Sequence, residues 1–257
     1  MTEANRTRIM SFSLIVGFFL LWEVLCLMLD VSELVLPRPS EIIVTIWDRF
    51  PVLWPHILQT LYSTLLGFFL GVSIGVSLGV LVGTSKVAYA VAYPLLVGFS
   101  SIPKVAVVPI FVLWFGSGVT PAVLTAMVIC VFPIVVNIAT GLATTEPELE
   151  DVLKTLGASK REILWNVSLP RTMPYFFASL KVAITLSFVG AVLSETVASN
   201  MGIGFVMMTA SSNFQVSLVF AGLILLAVLG VMLYTIFSVL ERRVTGWATR
   251  GNDIAIT

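Results

Sequence analysis

The sequence predicts an all-α integral membrane protein, and three observations carry that prediction. Only 11% of the 257 side chains are charged, where a soluble domain carries about a quarter. Hydrophobic residues make up 58%, and mean hydropathy is +1.04. Five apolar runs reach the roughly 20 residues that a helix needs to cross a bilayer core. Net charge is zero, which leaves no electrostatic footprint for nucleic acid. Cys26 and Cys130 both sit inside apolar runs. They read as packing residues, and imply neither a disulfide frame nor a metal site.

The first run, residues 9–29, is too long for the apolar part of a signal peptide. No small-x-small cleavage site follows it before "DVSELVLP". It is expected to remain as a membrane helix, with Glu23 as an interface or packing residue. Residues 30–56 read as a loop with turn prolines and a short amphipathic piece, 40–50, that starts at Ser40-Glu41. Trp47 and Trp54 belong at headgroup level. His56 is the single histidine, and with no ligand partners it reads as a loop residue.

The second run, 58–82, leads into a ridge of Gly67, Gly71, Gly75, Gly79 and Gly83 at four-residue spacing. Glycine costs a helix about 1 kcal/mol per position against alanine, so the ridge needs a compensating close approach of backbones. Packing inside one subunit is preferred over a dimer contact. Steps of four residues drift about 40° past a full turn, so the ridge is expected to wind and serve more than one neighbour. The next stretch, 88–115, is interrupted by Pro94, Pro103, Lys104 and Pro109. It reads as a broken span, which makes six crossings. A lysine at a helix centre costs roughly 2.5–3.5 kcal/mol, and prolines free carbonyls that need partners. Lys104 therefore either lines a wet path or serves structure, by reaching an interface or pairing with an acid such as Glu195.

The run 119–143 contains Asn137, read equally as an interhelical hydrogen bond and as a pathway group. Glu195 lies near the end of the run 176–198, where it faces either a wet interior or the solvated interface. "SNMGIGFVMMTASSNF" follows, as an external gate or a docking loop, and 216–240 is the last span. Lys104, Asn137 and Glu195 are the candidate translocation-path residues.

Lys and Arg set the orientation. Arg6, Arg8, Lys86, Lys154, Lys160, Arg161, Arg171, Arg242, Arg243 and Arg250 fall on one side of a six-helix arrangement, and only Arg38 and Arg49 on the other. Both termini and the 144–175 loop are thus expected in the cytoplasm.

That loop is polar and too long for a simple connection. Leu149, Val152, Leu153 and Leu156 recur at helical spacing. Gly157 fits a helix C-terminus. Ser159 with Glu162 fits a capping box, starting a second helix that Pro170 and Pro174 end. The product is a helix–turn–helix whose exposed apolar stripe invites a partner.

Gly157, Val167, Leu169 and Pro170 now carry a resemblance. Glycine, nine residues, valine, one residue and Leu-Pro resembles the cytoplasmic loop signature of ABC importer permeases. "TLGAS" (155–159) matches the common form. Where the family has Glu-Ala-Ala six residues before the glycine, this chain has Asp151-Val152-Leu153, with the acid kept in type and both alanines enlarged. "LPRPSEI" (36–42), "IPKVAVVPIFVLWFGSG" (102–118), "FPIVVNIATGL" (132–142), "SETVASNMGIGFVM" (194–207) and "LERR" (240–243) resemble the nitrate, sulfonate, taurine and pyrimidine-precursor branch.

The resemblance implies a permease homodimer in a bacterial inner membrane, two cytosolic ATPases and an external solute-binding protein. It implies that Glu148, Asp151, Val152, Lys154, Thr155, Leu156, Gly157, Ala158 and Ser159 form the ATPase-coupling surface. ATP and Mg would sit on the partner subunits, with no cofactor or metal on this chain. The expected domains are an N-terminal helix and external loop (1–56), a transmembrane core (57–241) and a cytoplasmic tail (242–257). The residues agree on one point: the chain has no G-x-x-x-x-G-K-[ST] loop and no HExxH. A secondary transporter or channel is the alternative, for which inverted repeats or several embedded ionisable groups are the usual signs.

Overall fold

In the computed structural model, which describes residues 3–144 and 147–249, every regular element is helical. The order is α1 (Glu3–Met28), α2 (Pro39–Gly83), α3 (Lys86–Ser100), a 3₁₀ turn (Lys104–Val107), α4 (Val108–Phe115), α5 (Val119–Ala143), α6 (Pro147–Thr155), α7 (Lys160–Ile163), a π-helical turn (Leu164–Ser168), α8 (Leu169–Ala198), α9 (Ile203–Ser212) and α10 (Val216–Thr249). Five helices are long and apolar enough to cross a membrane. A sixth span arises if the pair Val87–Phe99 and Lys104–Phe115, bent by 79°, counts as one. This is a multi-pass, all-α membrane protein.

The core lies where α2, α5, α8 and α10 meet. Phe68, Ile134, Ile138, Ile184, Phe188 and Leu233 are among its buried members, and the Phe68 and Phe237 rings meet edge-on at 4.9 Å. The glycine ridge explains how α2 and α5 approach so closely. Cβ atoms built at Gly75 and Gly79 would lie 2.8 Å from the Cβ of Ile134 and of Ile138, and one at Gly83 2.8 Å from that of Leu142. Gly67 and Gly71 face Ala126 and Cys130 in the same way. The partners also step by four, in the same direction, so α2 and α5 run parallel. The ridge therefore does not wind away to a second neighbour. A four-residue period exceeds 3.6, and a contact stripe that keeps to it makes the two helices wrap with a right hand.

Two expectations about breaks are corrected. The expected loop 30–56 with a separate short helix is a loop only as far as residue 38; from Pro39 on it is the start of α2, which continues through Pro51 and Pro55. Each proline frees the carbonyl four residues earlier. Those carbonyls belong to Trp47 and Pro51, both exposed, outside the apolar run where such groups would be hardest to satisfy. Pro170 and Pro174 likewise do not end a helix. Pro170 occupies the first turn of α8, where no donor is required. The wide π turn before it lets the Leu169 amide reach the Leu164 carbonyl, so α7 passes into α8 without a gap.

Helix α1 joins the bundle only at its later turns. Glu23 accepts from the Ser40 hydroxyl at 2.7 Å and the Ser40 amide at 3.0 Å, so it caps the first turn of α2. Trp22 meets Phe220 of α10 at 5.9 Å between ring centroids. Cys26 is buried there and Cys130 beneath Gly71.

Candidate functional site

Three places hold the residues singled out in the sequence, and the first is the polar insert. α6 ends in a Schellman arrangement: the Ala158 amide donates to the Leu153 carbonyl and the Gly157 amide to that of Lys154, both at 3.0 Å. Gly157 takes φ +87°, the left-handed region that a side chain disfavours. The capping box follows at once. The Ser159 amide donates to the Glu162 carboxylate at 2.7 Å, and the Glu162 amide to the Ser159 hydroxyl at 3.3 Å. The turn between α6 and α7 is thus fixed at both ends by its own sequence.

The outer face of this turn is open. Val152 and Leu156, four residues apart on α6, are 57% and 78% exposed. Glu148, Asp151, Lys154, Thr155, Gly157 and Ser159 are exposed around them, while Ala158 is half-buried. Lys154 pairs with Asp151 at 3.0 Å. The inner face backs onto a cleft of about 420 Å³, lined by Gly83 and Thr84 at the end of α2, Leu142 of α5, Lys154, Arg161 and the π turn. The insert therefore shares this cleft with the ends of α2 and α5, two of the helices that form the core.

The second place is a cavity of about 480 Å³ between the 3₁₀ turn, α5 and α8. Lys104 and Asn137 both line it. The Lys104 ammonium lies 5.4 Å from the centre of the Phe132 ring, within cation–π range. Asn137 Nδ2 donates to the Pro133 carbonyl at 2.8 Å. Ile129, Val136, Leu186 and Val189 supply apolar walls. The arrangement can hold a small solute with one charged or polar end.

Glu195 does not line that cavity. It faces neither a wet interior nor the solvated interface. It is 1% exposed, enclosed by α2, α8 and α9. Its Oε2 accepts from the Thr60 hydroxyl at 2.8 Å and the Gly204 amide at 3.2 Å. The Thr60 oxygen in turn accepts from the Ile203 amide at 2.9 Å, and His56 Nδ1 from the Gly202 amide at 3.1 Å. His56 is thus a helical residue, one turn before Thr60, and not a loop residue. The signal for this knot was the i, i+4 pair His56 and Thr60 beside the "GIG" of 202–204, whose Cβ-free backbone admits the carboxylate.

One further pair was missed. Lys181 of α8 and Glu241 of α10 form an ion pair at 2.6 Å, with about a fifth of each side chain exposed. Lys181 lies in the second turn of the run 176–198, and Glu241 stands beside Arg242 and Arg243 just past the run 216–240, so neither position names its partner.

Comparison with known proteins places this architecture. Residues 67–246 match the family model described as "Binding-protein-dependent transport system inner membrane component". The chain is 32% identical over 230 residues to a probable ABC transporter permease protein of Haemophilus influenzae, covering 89% of this chain and 94% of that one. It is 35% identical over 215 residues to the riboflavin transport system permease protein of Chloroflexus aurantiacus, covering 83% and 80%. Among solved structures, an inward-facing form of the MetNI methionine ABC transporter aligns with a TM-score of 0.66 at 20% identity, covering 76% of this chain and 98% of that chain.

Proposed function

Because the chain belongs to the binding-protein-dependent transport system inner membrane component family, the permeases of ABC importers, we propose that it forms a homodimeric translocation path in a bacterial inner membrane. Two cytosolic ATPases bind ATP and Mg and drive it, and an external binding protein delivers the solute. The observation that carries this reading is the α6–α7 turn. It is rigidly capped, apolar at Val152 and Leu156 on its open face, and lines on its other face one cleft with the ends of α2 and α5. Such a knob passes a partner's movement into the bundle. ATP-driven closure of the ATPases then shifts the core helices toward the outward-open state, and hydrolysis resets them. Co-purification of an ATPase subunit with the chain, lost on Leu156→Asp, tests the reading. Uptake by the purified chain alone, without any ATPase, would establish a secondary transporter or channel instead.

The cytoplasmic placement of the insert is checked separately. In a background lacking Cys26 and Cys130, an impermeant thiol reagent applied from outside is expected to label a cysteine at position 45 and to miss one at position 160. The reverse pattern would remove the coupling role.

For the solute we infer a small nitrate-, sulfonate- or taurine-like anion or a pyrimidine precursor. Lys104 favours the anions, since it is the one charged residue among the described residues lining this cavity, beside Asn137 and apolar walls. Lys104→Met is expected to lower uptake of an anionic solute on the order of tenfold, the factor carried by about 1.4 kcal/mol. Complex yield and ATPase activity without solute should stay at the wild-type level. Loss of yield in step with uptake would make Lys104 a structural residue.

A further inference from the structure

We propose that Glu195 is a positioning residue that fastens α9 to the outer ends of α2 and α8, so that the three move as one piece during transport. The proposal rests on the importer reading. It starts from the first three amides at the start of α9. A helix leaves its first amides without internal partners, and the residue before the helix usually supplies a side-chain cap. Here that residue is Gly202, which has no side chain. The caps come from other helices: His56 takes the Gly202 amide, Thr60 the Ile203 amide and Glu195 the Gly204 amide. Two are from α2 and one from α8, and the Thr60 hydroxyl donates to Glu195 to join the two sources.

The fit is built into the chain. Gly202 adopts φ +105°, and a Cβ there would collide with the Glu195 carboxyl. At Gly204 it would lie 2.7 Å from the Val192 carbonyl oxygen and 2.8 Å from the Glu195 Cβ. A carboxylate at a helix N-terminus also complements the positive end of the helix dipole. α9 has ten residues, about 15 Å of helix, half of what a bilayer core requires. A helix this short is marginal unaided, so its anchor decides where it sits. The other ends of the anchoring helices lie beside the α6–α7 turn: Gly83 and Thr84 of α2 line the cleft behind it, and α8 continues from it through the π turn. α9 is therefore the part of the outer face tied most directly to the coupling element.

The test uses the permease reconstituted with its ATPases and binding protein, in three variants. Glu195→Gln keeps a carbonyl that accepts from Thr60 and Gly204. Glu195→Ala removes it, and Thr60→Val removes the hydroxyl at nearly constant volume. Spin labels at position 52 on α2 and position 211 on α9, both exposed in the native chain, report the anchor directly. Glu195→Gln is expected to match the wild type within about twofold in uptake, with the same label separation. Glu195→Ala and Thr60→Val should lower uptake on the order of tenfold, the scale of leaving a buried hydrogen-bonding group without its partner. They should also remove the stimulation of ATPase by the binding protein and broaden the label separation, while complex yield and unstimulated ATPase persist. Combining the two should add little, because they break one network. Unaltered uptake and label separation in Glu195→Ala overturn the proposal. So does equal loss in Gln and Ala, or a loss that only follows yield. A wild-type complex without ATP-driven uptake would count against the importer reading, and the label separation in the isolated permease would still decide the anchor.

Discussion

Gly157→Val is expected to reduce ATP-driven uptake by more than an order of magnitude while the membrane bundle assembles normally. A Cβ at Gly157 meets nothing within 4 Å, so steric exclusion is not the cause. The cause is the backbone: φ is +87°, and a side chain in that region costs on the order of 1–2 kcal/mol, more when β-branched. The strain falls on the Schellman bonds that end α6, a helix of nine residues with little stability of its own. Relief comes by releasing the turn, which moves Val152 and Leu156 relative to α7. Asparagine tolerates the left-handed region better, so Gly157→Asn should recover much of the loss. Transport in proteoliposomes, with ATPase co-purification as the companion measurement, separates the outcomes. Normal uptake in Gly157→Val would remove this turn from the coupling path.

The largest loss of stability is expected at Gly75. A Cβ there lies 2.8 Å from the Ile134 Cβ, 2.9 Å from its Cγ2 and 3.2 Å from the Val131 carbonyl oxygen. None of these is the free end of a flexible side chain, so α2 and α5 must part. Gly75→Leu improves the intrinsic helix propensity of α2 by roughly 1 kcal/mol, which makes the sign of the result decisive. Overpacking of this kind costs typically about 1–3 kcal/mol at one site. Here it acts on the main interface of the core, and the midpoint of thermal unfolding in detergent should fall on the order of 5 °C or more, with lower yield. Gly75→Ala combined with Ile134→Gly should cost less than the two single changes added together, because Ile134→Gly removes the Cβ that the new methyl meets. An unchanged midpoint in Gly75→Leu would show that the two backbones do not approach here.

The length of the apolar runs made the spanning helices legible, because a bilayer imposes one dimension on every crossing. The turn at 155–162 was legible because its chemistry is local: Gly157, Ser159 and Glu162 specify both helix ends within a few residues. What escaped depends on distant neighbours. Pro51 and Pro55 looked like breaks, since their tolerance depends on where the freed carbonyls lie. α9 read as an external gate or a docking loop, because two of its three caps come from residues about 140 positions away. The partner of the glycine ridge was equally hidden, since an i, i+4 stripe winds or stays facing according to how the second helix crosses it. Lys104 and Asn137, 33 positions apart, meet only because the broken span folds back against α5.

From His56 to Gly83, helix α2 contains no proline, and about 40 Å of unbroken helix joins these residues. One end holds α9 through His56 and Thr60, and the other lines the cleft behind the α6–α7 turn. A rod without a joint has no slack. A tilt imposed at the Gly83 end arrives at Thr60 in the same instant, reversed in direction about whatever point α5 holds fixed through the glycine ridge. On the proposed importer reading, the two ends of α2 then behave as the ends of a see-saw, one descending as the other rises. Fluorophores placed at either end should relax with a single shared time constant, and a leak through both mouths at once would require the rod itself to bend.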